Sequence, residues 1–159
     1  MDTVLATDAS LDLQAGVHVM PADDAARLDV LLVEDDEADA SLILAALENH
    51  PNVGAARAVH APVLALRELA SGRLRPDLIL LDLMMPRVDG FEFLKGVRRL
   101  RDLVSTPVVF LTTSSLGSDM LAYMKSSASL YVVKPDTFVE LEMRIDGIVR
   151  RAITGAWSE

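Results

Sequence analysis

The chain has 159 residues, no cysteine and a net charge of −9. That length suits one domain with a proper core, and without thiols neither a disulfide framework nor thiolate chemistry is available. The negative charge argues against nucleic acid or an anionic membrane as a direct partner, and no apolar run reaches membrane-spanning length, so the reading is a soluble cytoplasmic protein without a signal peptide.

Residues 1–28 are rich in Asp and Ala, lack a sustained period and carry a Met20-Pro21 break. They read as a flexible extension in which Gly16-Val17-His18-Val19 could form a short edge strand. From Asp29 strands and helices alternate. A strand over 29–34 precedes a helix from Glu37 to Glu48, ended by His50-Pro51-Asn52. A weaker strand over 53–59 leads into a helix over 61–71 that stops at Gly72. The third strand, 77–82, opens after Arg75-Pro76, and a loop with Pro86 and Asp89-Gly90 precedes a helix to Arg101. A strand over 107–112, a fourth helix over 116–126, a strand over 130–134 and a last helix over 136–153 complete the series. Residues 154–159, with Trp157, form a short tail. Five βα units on short connections require right-handed crossovers, hence an α/β fold with a doubly wound five-stranded parallel sheet, flavodoxin-like order 2-1-3-4-5, and five helices.

Four strands are apolar without alternation, as central parallel strands are, and each ends on a reactive side chain. Val30-Leu31-Leu32-Val33 runs into Glu34-Asp35, Leu78-Ile79-Leu80-Leu81 into Asp82, Val108-Val109-Phe110-Leu111 into Thr112, and Leu130-Tyr131-Val132-Val133 into Lys134. Open parallel sheets bind ligands beyond the carboxyl ends of their strands, so three carboxylates, a hydroxyl and an ammonium converge there. Clustered carboxylates repel, and a hard divalent ion such as Mg²⁺ relieves that repulsion while keeping positions open for water and phosphate. Asp82 is placed to act as nucleophile toward a phosphoryl group, Lys134 to pair with Asp82 at rest and with a phosphoryl oxygen afterwards, and Thr112 to donate to that oxygen. Each residue alone has an ordinary explanation: a strand-end Asp as a turn former, Glu37 and Asp39 as first-turn acids. Their joint occurrence at one end of successive strands does not.

This set resembles the receiver domain of two-component response regulators over about 29–153. Val33-Glu34-Asp35-Asp36 is similar to the family's acidic pair, and Leu80-Leu81-Asp82-Leu83-Met84-Met85-Pro86 with Asp89-Gly90 to its phospho-acceptor segment. Leu111-Thr112-Thr113 and Val133-Lys134-Pro135 are similar to its switch threonine and lysine. The resemblance implies that Asp82 is phosphorylated by a histidine kinase with Mg²⁺ as cofactor. It further implies that Asp35 and Asp82 bind the metal directly, that Glu34 reaches it through water, that the Met84 carbonyl is a further ligand, and that Tyr131 is the switch aromatic. Stretches around Glu34–Asp39 and Thr112–Ser115 also resemble stand-alone regulators paired with phytochrome-type kinases. With one helix after Lys134, the expectation is a receiver without an output domain. Two other readings of the same residues are a small haloacid-dehalogenase-like phosphatase, which wants Asp-x-Asp after the first strand where this chain has Glu34-Asp35-Asp36, and a pseudo-receiver binding module that is never phosphorylated.

The helix faces yield further expectations. On the first helix Ala38, Leu42, Ala45 and Ala46 form the core stripe, leaving Ile43 and Leu47 for a kinase. On the last helix Phe138, Leu141, Ile145, Ile148, Val149 and Ala152 face the core while Val139 and Met143 lie outside it. With Leu121 on the fourth helix, these suggest a homodimer through the fourth helix, fifth strand and last helix. Met84 two positions after Asp82, and the bulk of Thr113, leave Ser114 as the nearby water-positioning group, so hydrolysis of an acyl phosphate should be slow. Arg98, Arg99 and Arg101 read as a solvated helix face, and His18, His50 and His60 as surface or loop residues.

Overall fold

The computed structural model describes residues 26–83, 85, 90–113 and 130–157. Five parallel strands, β1 (Leu28–Val33), β2 (Val53–Val59), β3 (Leu78–Asp82), β4 (Val108–Thr112) and β5 (Leu130–Val133), form one sheet in the order β2-β1-β3-β4-β5. The described helices are α1 (Glu37–Glu48), α2 (Pro62–Ala70), α3 (Gly90–Arg99) and α4 (Phe138–Thr154), with a 3-10 turn at Arg101–Leu103. The expected helix over 116–126, the extension strand at 16–19, and Met84 and Ser114 lie outside the described residues.

The central strands are buried on both faces, which explains their unbroken apolar runs. One face carries Leu31, Val33, Ile79, Leu81, Val108 and Phe110 against Ala65 and Leu69 of α2 and Phe93, Leu94 and Val97 of α3. The Phe91 and Phe110 rings meet at 5.7 Å and pin the start of α3 to β4. The other face carries Val30, Leu32, Leu78, Leu80, Val109 and Leu111 against α1 and α4. Fully burying one such side chain contributes about 1.5–3 kcal/mol, so the two layers hold the strand ends in fixed register.

Local chemistry sets the helix ends. The Asp36 carboxylate accepts from the Asp39 N–H at the start of α1, and Thr137 accepts from the Glu140 N–H at the start of α4. Pro62 opens α2 with no side-chain cap. Gly155 ends α4 at φ 69°, a left-handed conformation that an L side chain resists.

Two expectations are corrected. α1 buries Ala40, Ile43, Ala46 and Leu47, whereas Leu42 is 52% exposed and Ala38 is exposed. The run from Leu42 to Leu47 is apolar at every position, so periodicity could not set the phase of the helix; its docking beside α4 did. Arg98 is not a solvated charge, because its Nη1 donates to the carbonyls of Leu103 (3.0 Å) and Thr106 (2.7 Å), fastening α3 to the turn before β4. On α4 the expected stripe holds for Leu141, Ile145, Ile148 and Val149, while Phe138 at its first turn is 38% exposed.

Candidate functional site

The strand register brings the reactive residues together. Val33 lies beside Leu81, Asp82 beside Leu111, and Thr112 beside Val133, so Glu34, Asp82, Thr112 and Lys134 share the carboxyl edge of the sheet. Lys134 is tied to that edge by its own backbone, whose N–H donates to the Thr112 carbonyl at 2.7 Å. Glu34, Asp82 and Thr112 are the buried polar side chains among the described residues, at 0%, 4% and 0% exposure.

Carboxylate oxygens of Glu34, Asp35 and Asp82 lie within 4.8 Å of one another. This set of hard oxygen donors, two buried and one facing solvent, fits a Mg²⁺-like ion that keeps several waters. Lys134, its side chain only 10% exposed, supplies positive charge beside the cluster. Its Nζ donates to Glu34 Oε2 at 2.6 Å and to Asp39 Oδ2 at 2.9 Å, and lies 3.7 Å from Asp82 Oδ2. The expected resting pair of Lys134 with Asp82 is present as an ion pair at 3.7 Å, longer than a hydrogen bond, while the lysine's short contacts go to Glu34 and Asp39. Both Glu34 oxygens are engaged, since Oε1 accepts from the Asp36 N–H at 3.2 Å.

The Glu34 carboxyl is raised to about 7, because burial, helped by Asp82, outweighs the hydrogen bond and charge of Lys134 that pull it down. For Lys134, burial opposes the charge, but the hydrogen bonds to Glu34 and Asp39 and the charge of Asp82 outweigh it, so its ammonium is held above its ordinary value.

Tyr131 is half-buried, lies beside Phe110 in the sheet and packs on the core face shared with α2 and α3. A cleft of about 160 Å³ opens beside the site between α1 and the loop after β5, lined by Asp39, Leu42, Ile43, Thr113, Lys134, Pro135, Asp136 and Leu141. Another recess of about 150 Å³, which includes Arg57, Arg73 and Arg75, lies among residues of the opposite end of the sheet and takes no part in this chemistry.

Sequence reasoning missed Asp39 as a site residue and read it only as a first-turn acid. The available signal was its place at the third position of α1, since helical side chains lean toward the helix N-terminus and hence toward the strand ends. His50 was also under-read. Its Nε2 lies 3.1 Å from Asp146 Oδ1 of α4, and its Nδ1 accepts the Asn52 N–H, so it joins the turn after α1 to α4.

Comparison with known proteins agrees with this geometry. The model of the response regulator receiver domain matches residues 30–146. The chain belongs to that family. Among curated relatives, the probable methanogenesis regulatory protein FilR2 of Methanothrix harundinacea is 36% identical over 123 residues, which span 75% of this chain and 79% of FilR2. The transcriptional regulatory protein AfsQ1 of Streptomyces coelicolor is 37% identical over 77% of this chain, but the match spans only 51% of AfsQ1. The chain thus corresponds to about half the length of such regulators. Among solved structures, the phosphorylated cyanobacterial phytochrome response regulator RcpA superposes with a TM-score of 0.70 at 32% identity, over 82% of this chain and 96% of RcpA. The Mn²⁺-bound response regulator Rcp1 gives 0.66 at 32% identity, over 76% of this chain and 91% of Rcp1. Membership places the chain in phosphorylation-based two-component signalling, in which histidine kinases phosphorylate receiver domains at a Mg²⁺-binding acidic pocket.

Proposed function

We propose that this protein is a phosphoacceptor that takes a phosphoryl group from a kinase phosphohistidine onto Asp82. The observation that carries the reading is the packing of a 4%-exposed aspartate against two further carboxylates and one largely covered ammonium at the carboxyl edge of the sheet. Residues 29–153 form the acceptor unit in this reading, flanked by an extension (1–28) and a tail (154–159), and it works in the cytoplasm. Glu34, Asp35 and Asp82, with the Met84 carbonyl, would hold Mg²⁺, which when bound screens the approach of two anions. The chain's own residues do the rest. An Asp82 carboxylate oxygen attacks phosphorus in line, the bond from phosphorus to the histidine nitrogen breaks, and the imidazole leaves with the electron pair. Lys134 offers its ammonium to a phosphoryl oxygen and Thr112 its hydroxyl. That hydroxyl moves toward the phosphoryl group, Tyr131 repacks, and the face of β5 and α4 changes its affinity for a partner.

Two features support finer points. The likeness to the phytochrome response regulator RcpA supports a phytochrome-type photoreceptor kinase as the donor. Val139 (66% exposed) and Met143 (69%), one turn apart on α4, together with exposed Val133 (41%) on β5, support a homodimer through the β5–α4 face, because exposed apolar surface marks an interface.

The deciding experiment is incubation with a small acyl phosphate donor, with and without Mg²⁺, read by intact mass. Mg²⁺-dependent addition of one phosphoryl group, absent in Asp82→Asn, is expected. Steady donor turnover without modification would favour the phosphatase, and no reaction the pseudo-receiver.

A further inference from the structure

Lys134 has three carboxylates around one ammonium, and its hydrogen bonds go to two of them. Glu34 at 2.6 Å and Asp39 at 2.9 Å accept, while Asp82 stands off at 3.7 Å. These two holds differ in kind. Glu34 belongs to the acidic cluster with Asp35 and Asp82, so a cation there draws on the same carboxylate. Asp39 stands outside that cluster, on the first turn of α1, and its carboxylate is free of capping duty because Asp36 caps the helix. When the cluster is loaded, Asp39 is the hydrogen-bonded anion that stays with Lys134.

We propose that Asp39 is a positioning residue that tethers the Lys134 ammonium on the α1 side of the site, so that Asp39 competes with a phosphoryl group on Asp82 for the same lysine. This deepens the phosphoacceptor reading and, for its functional consequence, rests on it. Partial exposure of the Asp39 side chain, 42%, keeps the tether weak enough to be exchanged. A phosphoryl group carries more charge than a carboxylate and three acceptor oxygens, so it wins the lysine once it is formed. Before that, the tether commits the hydrogen bonds of the ammonium to Glu34 and Asp39 and leaves Asp82 the longer ion pair at 3.7 Å, so this lysine does not hold the nucleophile by a hydrogen bond that the attack would have to displace.

The test uses the full chain with beryllofluoride, a tetrahedral mimic of a phosphoryl group, titrated in Mg²⁺ and followed by ¹⁹F NMR of the bound species. Asp39→Asn should tighten binding about fivefold, the worth of one partly exposed ion pair. Asp136→Asn, which removes a carboxylate from the same cleft, serves as the charge control and should change binding less than about twofold. In a Lys134→Met background Asp39→Asn should add nothing. Equal tightening by the two Asp→Asn changes, or tightening that persists without the lysine, would reveal general electrostatics and overturn the tether. A second arm needs no phosphoryl chemistry. In the metal-free chain the ¹⁵N-detected Nζ protons of Lys134 should exchange slowly, and Asp39→Asn should speed them while Asp136→Asn does not; unchanged exchange overturns the proposal. If the unmodified chain binds no beryllofluoride yet passes the exchange arm, the tether stands and the phosphoacceptor reading falls.

Discussion

Ile43 and Leu42 are neighbours on α1 with opposite surroundings, and substituting each separates folding from partner docking. Ile43 is 2% exposed and packs in the layer formed with Leu32, Leu80 and α4, whereas Leu42 is 52% exposed and lines the cleft that also contains Lys134. Ile43→Ala removes three buried carbons, worth about 0.8 kcal/mol each, and the residual cavity raises the cost to about 3–4 kcal/mol. Against a domain stability of about 5–15 kcal/mol this should appear as a large fall in the urea midpoint at unchanged slope. Leu42→Asp leaves the core intact and should cost less than about 1 kcal/mol of stability. In a kinase complex, however, the same change would lose apolar contact and bury a carboxylate, together slowing phosphotransfer at least about tenfold. Small-donor phosphorylation, which needs no docking, should be unchanged. Equal slowing with both donors would refute docking at this cleft, and an Ile43→Ala cost below about 1 kcal/mol would refute the assigned face of α1.

Other outcomes follow from the site. Because Glu34 is raised to about 7 from 4.5, the folded metal-free chain holds its proton more tightly than the unfolded one, an advantage present in full below pH 4.5 and lost as pH rises through 7. Lys134, Asp82 and Asp36 face this group, so thermal melts should show metal-free stability falling between pH 5 and 8 by at most about 3 kcal/mol. At pH 8 Mg²⁺ should restore stability by about 1.4 kcal/mol at ten times its Kd, and chelation should reverse the gain. The acyl phosphate on Asp82 should persist for minutes or longer, since Met84 offers no polar group to place water; a half-life of seconds by mass spectrometry would contradict this. Val139→Glu with Met143→Glu should give a monomer that still phosphorylates at Asp82, and light scattering that finds the unmodified chain monomeric in both states would remove the dimer.

What was legible in the sequence, and what was not, follows from where each signal originates. Val30–Val33, Leu78–Leu81 and Val108–Leu111 announced buried parallel strands because both faces of each are covered, and the reactive residue after each run is fixed by register alone. The site was therefore readable as a set of strand ends without knowing any side-chain contact. The phase of α1 was not, since six consecutive apolar residues from Leu42 to Leu47 satisfy several stripes equally and only packing against α4 chooses among them. Arg98 and His50 were misjudged for a related reason: their partners are carbonyls at 103 and 106 and a carboxylate at 146, which no local pattern encodes.

Asp39 is the more instructive case. An acid in the first turn of a helix is explained locally by the macrodipole, and that explanation is sufficient, so nothing prompts a second one. Yet the crossover that sets α1 over the carboxyl edge gives this position two electrostatic partners at once, the helix terminus and the Lys134 ammonium. In a doubly wound sheet the start of every helix lies at the same edge as the ligand site. A first-turn acid there can therefore serve both the helix and the chemistry, and only a measured distance tells which.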